Sequence, residues 1–245
     1  MSLESLVVNE VYLSVQGEST FAGLPCVFIR LTACNLRCSY CDTAYAFTEG
    51  ARKTPEEILS AVERLAQPYS ASAPGGRLPL IEFTGGEPLL QKGSPALMRE
   101  LCDRGFTVLV ETSGAIDISP LDPRVRRIMD LKCPSSGEVE RNLWSNLAQL
   151  RSTDEIKFVI GTEEDYAWMK EQMEKHRLSA VCPILVSWVH PLKPDQQAPS
   201  LKPVPAGQTP LTRLDLVNRM LRDALPARFQ LQMHKVIWPP EERGV

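Results

Sequence analysis

Cys34, Cys38 and Cys41 fall within one decapeptide, "CNLRCSYCDT", with three residues between the first pair and two between the second. Thiolates this close together are soft metal ligands. A closed zinc site takes four protein ligands, commonly from a second C-x2-C or a His pair. A ferredoxin cluster likewise draws four cysteines. None of His176, His190 or His234 is spaced to complete a zinc quartet. Three thiolates on a four-iron cluster leave one iron without a protein ligand, and an open position on a metal is where chemistry occurs.

The other four cysteines, Cys26, Cys102, Cys133 and Cys182, are scattered beside apolar residues and read as buried thiols. An odd total of seven, with no basic flank or small-residue cleavage site in "MSLESLVVNEVYLSV", argues against a disulfide framework and a signal peptide. A composition of 43% apolar and 23% charged residues is that of a globular protein, and no apolar run is long enough to span a bilayer. The net charge of −3 disfavours partners bound by phosphate neutralisation. A cytoplasmic enzyme, with no nucleic-acid or membrane partner, is the expectation.

Positioning such a triplet falls to a β/α chain with a mostly parallel sheet, which the alternation of apolar runs and amphipathic segments predicts. Strands are expected at 7–15, 26–32, 80–84, 106–111, 127–131, 155–160, 181–187 and 228–233. The first two pair as a hairpin-like entry, and the rest alternate with helices. Thr54 as N-cap, Pro55 and the capping-box Glu57 open a helix whose apolar face is Ile58, Leu59, Val62, Leu65 and Ala66. Ser94 and Pro95 repeat that logic in a helix stopped by Gly105. Residues 162–176 and 212–225 read as helices, the latter with Leu214, Val217, Met220 and Leu221 on one side. Residues 68–79 read as an exposed loop. The Pro-rich stretch 189–210 is long for a connection and reads as a lid, a partner surface or a mobile insertion. Nothing demands a boundary, so 1–245 is expected to be one domain.

Two segments together carry a resemblance. "CNLRCSYC" is similar to the C-x3-C-x2-C motif of the radical S-adenosylmethionine (SAM) enzymes, and "TGGEP" at Thr84–Pro88 resembles their second signature. The resemblance implies a full or partial (β/α)6 TIM-like barrel, here with an N-terminal strand extension, and a 4Fe–4S cluster held by Cys34, Cys38 and Cys41. It implies that the open iron chelates SAM and that reductive cleavage yields a 5′-deoxyadenosyl radical, which takes a hydrogen atom from the substrate. Such chemistry belongs to the cofactors; the protein orients the reacting atoms and excludes solvent. By the resemblance SAM contacts are Tyr40, Cys41, Asp42, Gly85, Gly86, Glu87, Ser113 and Lys132, with Gly114 beside Ser113 and Phe47 shielding the cluster. Glycines at 85 and 86 allow main-chain groups to approach the methionine end. Glu87 reads as a partner for the ammonium or as a cap for the following loop.

"SVQGES" at Ser14–Ser19, Arg30 in "VFIRLTAC", "CDTAYAF", "ETSG", "DLKCPSSG" and "LQMHKVIW" resemble the 7-carboxy-7-deazaguanine synthase family of queuosine biosynthesis. That resemblance runs from Val11 to Trp238, except over about 189–210. It implies a carbon–nitrogen lyase that contracts the ring of 6-carboxytetrahydropterin. Val15, Gln16, Gly17, Glu18, Arg30, Thr84 and His234 would bind substrate, and Thr43 would bind Mg²⁺. Carboxylate, amide and backbone groups can pair a pterin edge, and the planar fork of Arg30 suits a carboxylate; alternatively Glu18 and Arg30 pair with each other. A flavodoxin-like or ferredoxin-like reductant and a homodimer also follow from the resemblance. His176 and His190 read as solvated, and the tryptophans as core or interface residues. A glycyl-radical-enzyme activase and a non-catalytic iron–sulfur or zinc module are the competing readings.

Overall fold

The computed structural model describes residues 3–69, 77–239 and 242–245. A nine-stranded sheet organises them, in the order β3-β1-β2-β4-β5-β6-β7-β8-β9. β1 (Leu6–Val15) pairs antiparallel with β2 (Pro25–Leu31) and with β3 (Ala51–Lys53). From β2 onward every junction is parallel, through β4 (Arg77–Gly85), β5 (Phe106–Thr112), β6 (Arg126–Asp130), β7 (Glu155–Ile160), β8 (Ile184–Trp188) and β9 (Arg228–Gln230). The curled sheet does not close, so the architecture is a partial barrel with β1 and β3 as its N-terminal extension. The three-residue β3 was not predicted; "ARK" is too short and polar to show alternation.

Alternation along each parallel strand sorts its side chains. Ile81 and Phe83 of β4, and Ile156 and Phe158 of β7, enter the main apolar core. Glu82, Thr84, Lys157 and Val159 between or beyond them face a cavity on the opposite side. α1 (Pro55–Ala66) starts as expected: the Thr54 side chain accepts from the Glu57 N–H, and Glu57 returns the bond to the Thr54 N–H. It buries Ile58, Leu59, Val62 and Ala66, each large side chain contributing about 1.5–3 kcal/mol.

α2 (Ser94–Asp103) is capped differently from the prediction. Gly93 holds the N-cap position, while the Ser94 hydroxyl donates to the Pro88 carbonyl, tying the helix to the turn after β4. α3 (Glu163–Lys175) has Thr162 as its cap. α4 (Arg213–Arg222) exists, but its buried residues are Leu216 and Met220; Leu214 and Leu221 are 68% and 74% exposed. The expected strand–helix alternation also fails in two places. No helix joins β5 to β6, and only 3₁₀ turns lie between β6 and β7. Pro120, Pro123, Pro134 and Gly137 break those segments.

Of the loop expected at 68–79, residues 70–76 lie outside the described residues, and 77–79 belong to β4. The Pro-rich stretch docks on the barrel mouth: the Lys202 N–H donates to the Arg37 carbonyl, and the Lys202 ammonium meets Glu138 at 2.9 Å.

Candidate active site

The mouth of the barrel, at the C-terminal ends of the parallel strands, opens into a cavity of about 490 Å³. Open parallel sheets place ligands at this end. Cys34, Cys38 and Cys41 line one side. Their loop leaves β2 through Ala33, whose φ of 81° is left-handed and whose N–H donates to Ala46. Arg37 N–H donates to Glu138 at 2.7 Å, and the Ser39 N–H and hydroxyl donate to the carbonyls of Ser136 and Ser135. Among the described residues no three His, Cys, Asp or Glu side chains converge to hold a single metal ion. Three thiols bordering an open cavity fit a cluster, where each sulfur binds its own iron.

The second signature is built against this loop. Gly85 has φ of 121°, and a Cβ there would lie 2.3 Å from the Leu31 carbonyl oxygen. The N–H groups of Gly86 and Glu87 donate to the carbonyls of Leu31 and Ala33 at 3.0 and 2.8 Å. The glycines therefore permit close approach of the chain to itself, and both also line the cavity. Glu87 follows them in the turn. It is fully buried, and its carboxylate accepts from the Ser113 N–H and hydroxyl, the Thr112 hydroxyl and the Leu89 N–H. It caps and buttresses, while Ser113 and Lys132 line the cavity.

Four charged residues in the strands were missed: Glu82, Glu111, Asp130 and Lys157. Their signal was a charge directly beside a core residue of each strand, next to Ile81, Val110, Met129 and Ile156. Lys157 Nζ lies 3.0 Å from Glu18, 3.0 Å from Glu111 and 3.6 Å from Asp130, and Lys132 Nζ lies 2.6 Å from Asp130. Burial works to raise the Glu18 pKa, but Lys157 and His234 outweigh it and the carboxyl sits below its ordinary value. Asp130 is lowered in the same way against burial by Lys132 and Lys157. Burial raises Glu111 despite Lys157, and burial with the neighbouring Glu111 charge raises Glu82 far more.

Glu18 and Arg30 do not pair with each other. Arg30 donates to Glu10 at 2.6 Å and to the Tyr12 hydroxyl at 2.7 Å, and lies over the rings of Tyr12 and Tyr45. Gln16 is fixed at both ends: its Nε2 donates to Glu82 and its Oε1 accepts from the Glu18 N–H, each at 2.5 Å. Val15, Gly17 and Thr84 complete that wall. His234 also lines it, but begins the short helix α5 (His234–Ile237) instead of ending a strand. Burial depresses its pKa, against the opposing charges of Glu18 and Asp42. The Thr43 hydroxyl donates to Asp42, whose carboxylate meets Lys235 at 2.5 Å. Burial opposes the charge on Asp42, but Lys235 dominates and lowers its pKa.

Tyr40 lines the cavity, and its hydroxyl is buried and unpartnered among the described residues. His190, read as solvated, forms part of the cavity wall, and His176 stacks on Trp144 with ring centroids 4.7 Å apart. Phe47 lies beneath the Arg37 guanidinium at 4.2 Å. Cys26, Cys102, Cys133 and Cys182 are buried free thiols, as expected.

The model of the Radical SAM superfamily matches residues 28–135. Over the whole of both chains, this protein is 41% identical to a 7-carboxy-7-deazaguanine synthase of Chlorobaculum tepidum. It is 40% identical to one of Koribacter versatilis, over 97% of this chain and 99% of that one. The chain belongs to the 7-carboxy-7-deazaguanine synthase family. The crystal structure of QueE from Escherichia coli shares the fold, with a TM-score of 0.63, 22% identity and 93% of each chain covered.

Membership in this family makes the chain a radical SAM enzyme, with a 4Fe–4S cluster and SAM as its cofactors. The residues present suit both: three thiols at an open cavity, and an unpaired Tyr40 hydroxyl beside them. Among the described residues no helix is long and apolar enough to cross a membrane.

Proposed function

We propose that this chain converts 6-carboxy-5,6,7,8-tetrahydropterin to 7-carboxy-7-deazaguanine with loss of ammonia, in the route to queuosine and related 7-deazapurines. The observation that carries the reading is end-to-end identity of 41% to a synthase of that name, joined to a cysteine triplet facing a polar lumen. The cluster and SAM, when bound, supply the one-electron chemistry that removes a hydrogen atom from substrate. Cys34, Cys38 and Cys41 hold the cluster. The turn at Gly85 and Gly86 offers carbonyl oxygens to the ammonium of SAM, Tyr40 packs by its adenosine, and Ser113, Lys132, Cys41 and Asp42 bound the remainder. Glu87 acts by holding Ser113.

On the substrate side, Glu18 is kept ionised by Lys157 and accepts from donors of the pterin ring. Gln16, Val15, Gly17, Thr84 and His234 shape that edge. Arg30, aimed by Glu10 and Tyr12, receives the carboxylate. Mg²⁺ binds through Thr43 and substrate oxygens, as a hard cation that keeps most of its shell for ligand and water. One continuous sheet supports a single domain over 1–245. A flavodoxin-like or ferredoxin-like protein supplies the electron, and the enzyme works as a homodimer in the cytoplasm.

Anaerobic reconstitution with iron and sulfide, followed by reductant, SAM and 6-carboxytetrahydropterin, tests the reading. Formation of 7-carboxy-7-deazaguanine is expected. Production of 5′-deoxyadenosine without the deazapurine would reject the substrate and retain the enzyme class.

A further inference from the structure

Glu82 is an anomaly among the lumen charges. It is 1% exposed, lies in the cavity wall, and among the described residues has one hydrogen-bond partner, Gln16 Nε2 at 2.5 Å from its Oε2. Lys157 spends its ammonium on Glu18, Glu111 and Asp130. Among the described residues no cation pairs with Glu82. Its charged neighbours are Glu111, Lys157 and Glu18, so carboxylates outnumber cations around it. A carboxylate buried without a counter-ion costs more than a buried carboxylic acid, and the group responds by keeping its proton. Because an N–H occupies Oε2, the proton belongs on Oε1. A neutral acid at a ligand cavity is a hydrogen-bond donor that an ionised one cannot be.

We propose that Glu82 is a specificity-determining residue of the substrate pocket, a carboxylic acid whose O–H donates to an acceptor on the pyrimidinone edge of the pterin. The assignment rests on the pterin reading above and deepens it. That edge carries donors and acceptors together, and one lysine divides two carboxyls between them. Glu18 has Lys157 and stays an acceptor; Glu82 lacks it and becomes a donor. Gln16 links them, bonded to the Glu82 side chain at one end and to the Glu18 N–H at the other. Environments that push two carboxyls in opposite directions assign them opposite proton roles.

The test uses reconstituted holoenzyme of the wild type, Glu82→Gln and Glu82→Leu, with iron content as the check on folding. Glutamine keeps an acceptor for Gln16 and an N–H donor for the ligand, while leucine keeps neither. The expected result is a substrate KM at least about tenfold higher for E82L than for E82Q, with the SAM KM unaffected. Infrared difference spectra of substrate-free enzyme give a second readout. The wild type should show a protonated-carboxyl C=O band that E82Q lacks. Absence of that band, E82Q as impaired as E82L, or E82L indistinguishable from wild type each overturns the proposal. A wild-type enzyme that makes no deazapurine overturns the pterin reading instead, and the infrared band still reports whether Glu82 is neutral.

Discussion

Gly86 lies flat against Ala33: a Cβ on Gly86 would stand 1.9 Å from the Ala33 carbonyl oxygen and 3.1 Å from the Cys34 nitrogen. The second signature and the start of the cluster loop are thus one packed unit. The contact is backbone on backbone, so no side chain can move aside. Gly86→Ala should cost at least the roughly 1–3 kcal/mol of an overpacked core site. It should also displace Cys34, so iron bound per chain after anaerobic reconstitution falls sharply. Normal iron content in a stably folded G86A variant would show the two segments to be independent.

Lys157 neutralises three carboxylates from three different segments. Lys157→Met leaves Glu18 and Glu111 without their cation and Asp130 with Lys132 alone, a loss on the order of 3–5 kcal/mol. The pH dependence should change with it. Glu18 and Asp130 have folded pKa values below ordinary, so their stabilisation is present above the ordinary carboxyl range and lost as pH falls through it. Urea unfolding at several pH values should find the K157M deficit largest near neutrality and shrinking in acid.

The same buried charges mark where the sequence stopped being legible. Strand positions followed from apolar alternation, and the Thr54 cap from a four-residue pattern, because both depend on neighbours in the chain. The partners of Glu18 were not legible, since Lys157 and Gln232 reach it from 139 and 214 residues away. Nor was the true face of α4, where the periodicity of Leu214, Val217, Met220 and Leu221 suited one stripe but the sheet takes Leu216 and Met220. The cysteine triplet was plain because metal ligation fixes residue type and spacing together. The glycine pair was legible as a place of close backbone approach, but what it packs against was not. Its neighbour is the chain itself, which only the fold brings near.

Glu82 gives a stability prediction of opposite sign. Its folded pKa is raised above the ordinary 4.5, so the folded state holds a proton that the unfolded chain releases. Its contribution is fully present below the ordinary value and declines as pH rises toward the folded value, by up to about 1.4 kcal/mol per pH unit. Glu82→Gln removes that dependence. Denaturation midpoints of E82Q and wild type should therefore coincide near pH 4 and separate in favour of the variant toward neutrality (roughly, by the linkage slope).

Thr43 is the proposed protein ligand of Mg²⁺, and its hydroxyl already donates to Asp42 at 2.8 Å, which turns an oxygen lone pair toward other partners. Thr43→Val keeps the volume and deletes the oxygen. Turnover by the wild type should rise with added Mg²⁺, and turnover by T43V should stay flat, with iron content equal in both. Equal Mg²⁺ stimulation of the two would remove Thr43 from the metal site.

Lys235 ties the C-terminal helix to the cluster loop through its 2.5 Å contact with Asp42, with Lys235 8% exposed and Asp42 28%. One residue before it, His234 lines the cavity; one residue before Asp42 stands Cys41. The pair thus sets the distance between the two ligand-binding halves of the mouth. Lys235→Met should raise the KM for substrate on the order of tenfold while leaving cluster content intact, because a displaced α5 moves His234 and not the thiols. A positional role differs from a purely electrostatic one in a double-mutant cycle with Asp42→Asn. If the ion pair is the tether, the second substitution adds little to the first, with a coupling of about 1–3 kcal/mol. Fully additive effects on substrate KM would mean that Lys235 and Asp42 act separately, and the tether between the two halves would fall.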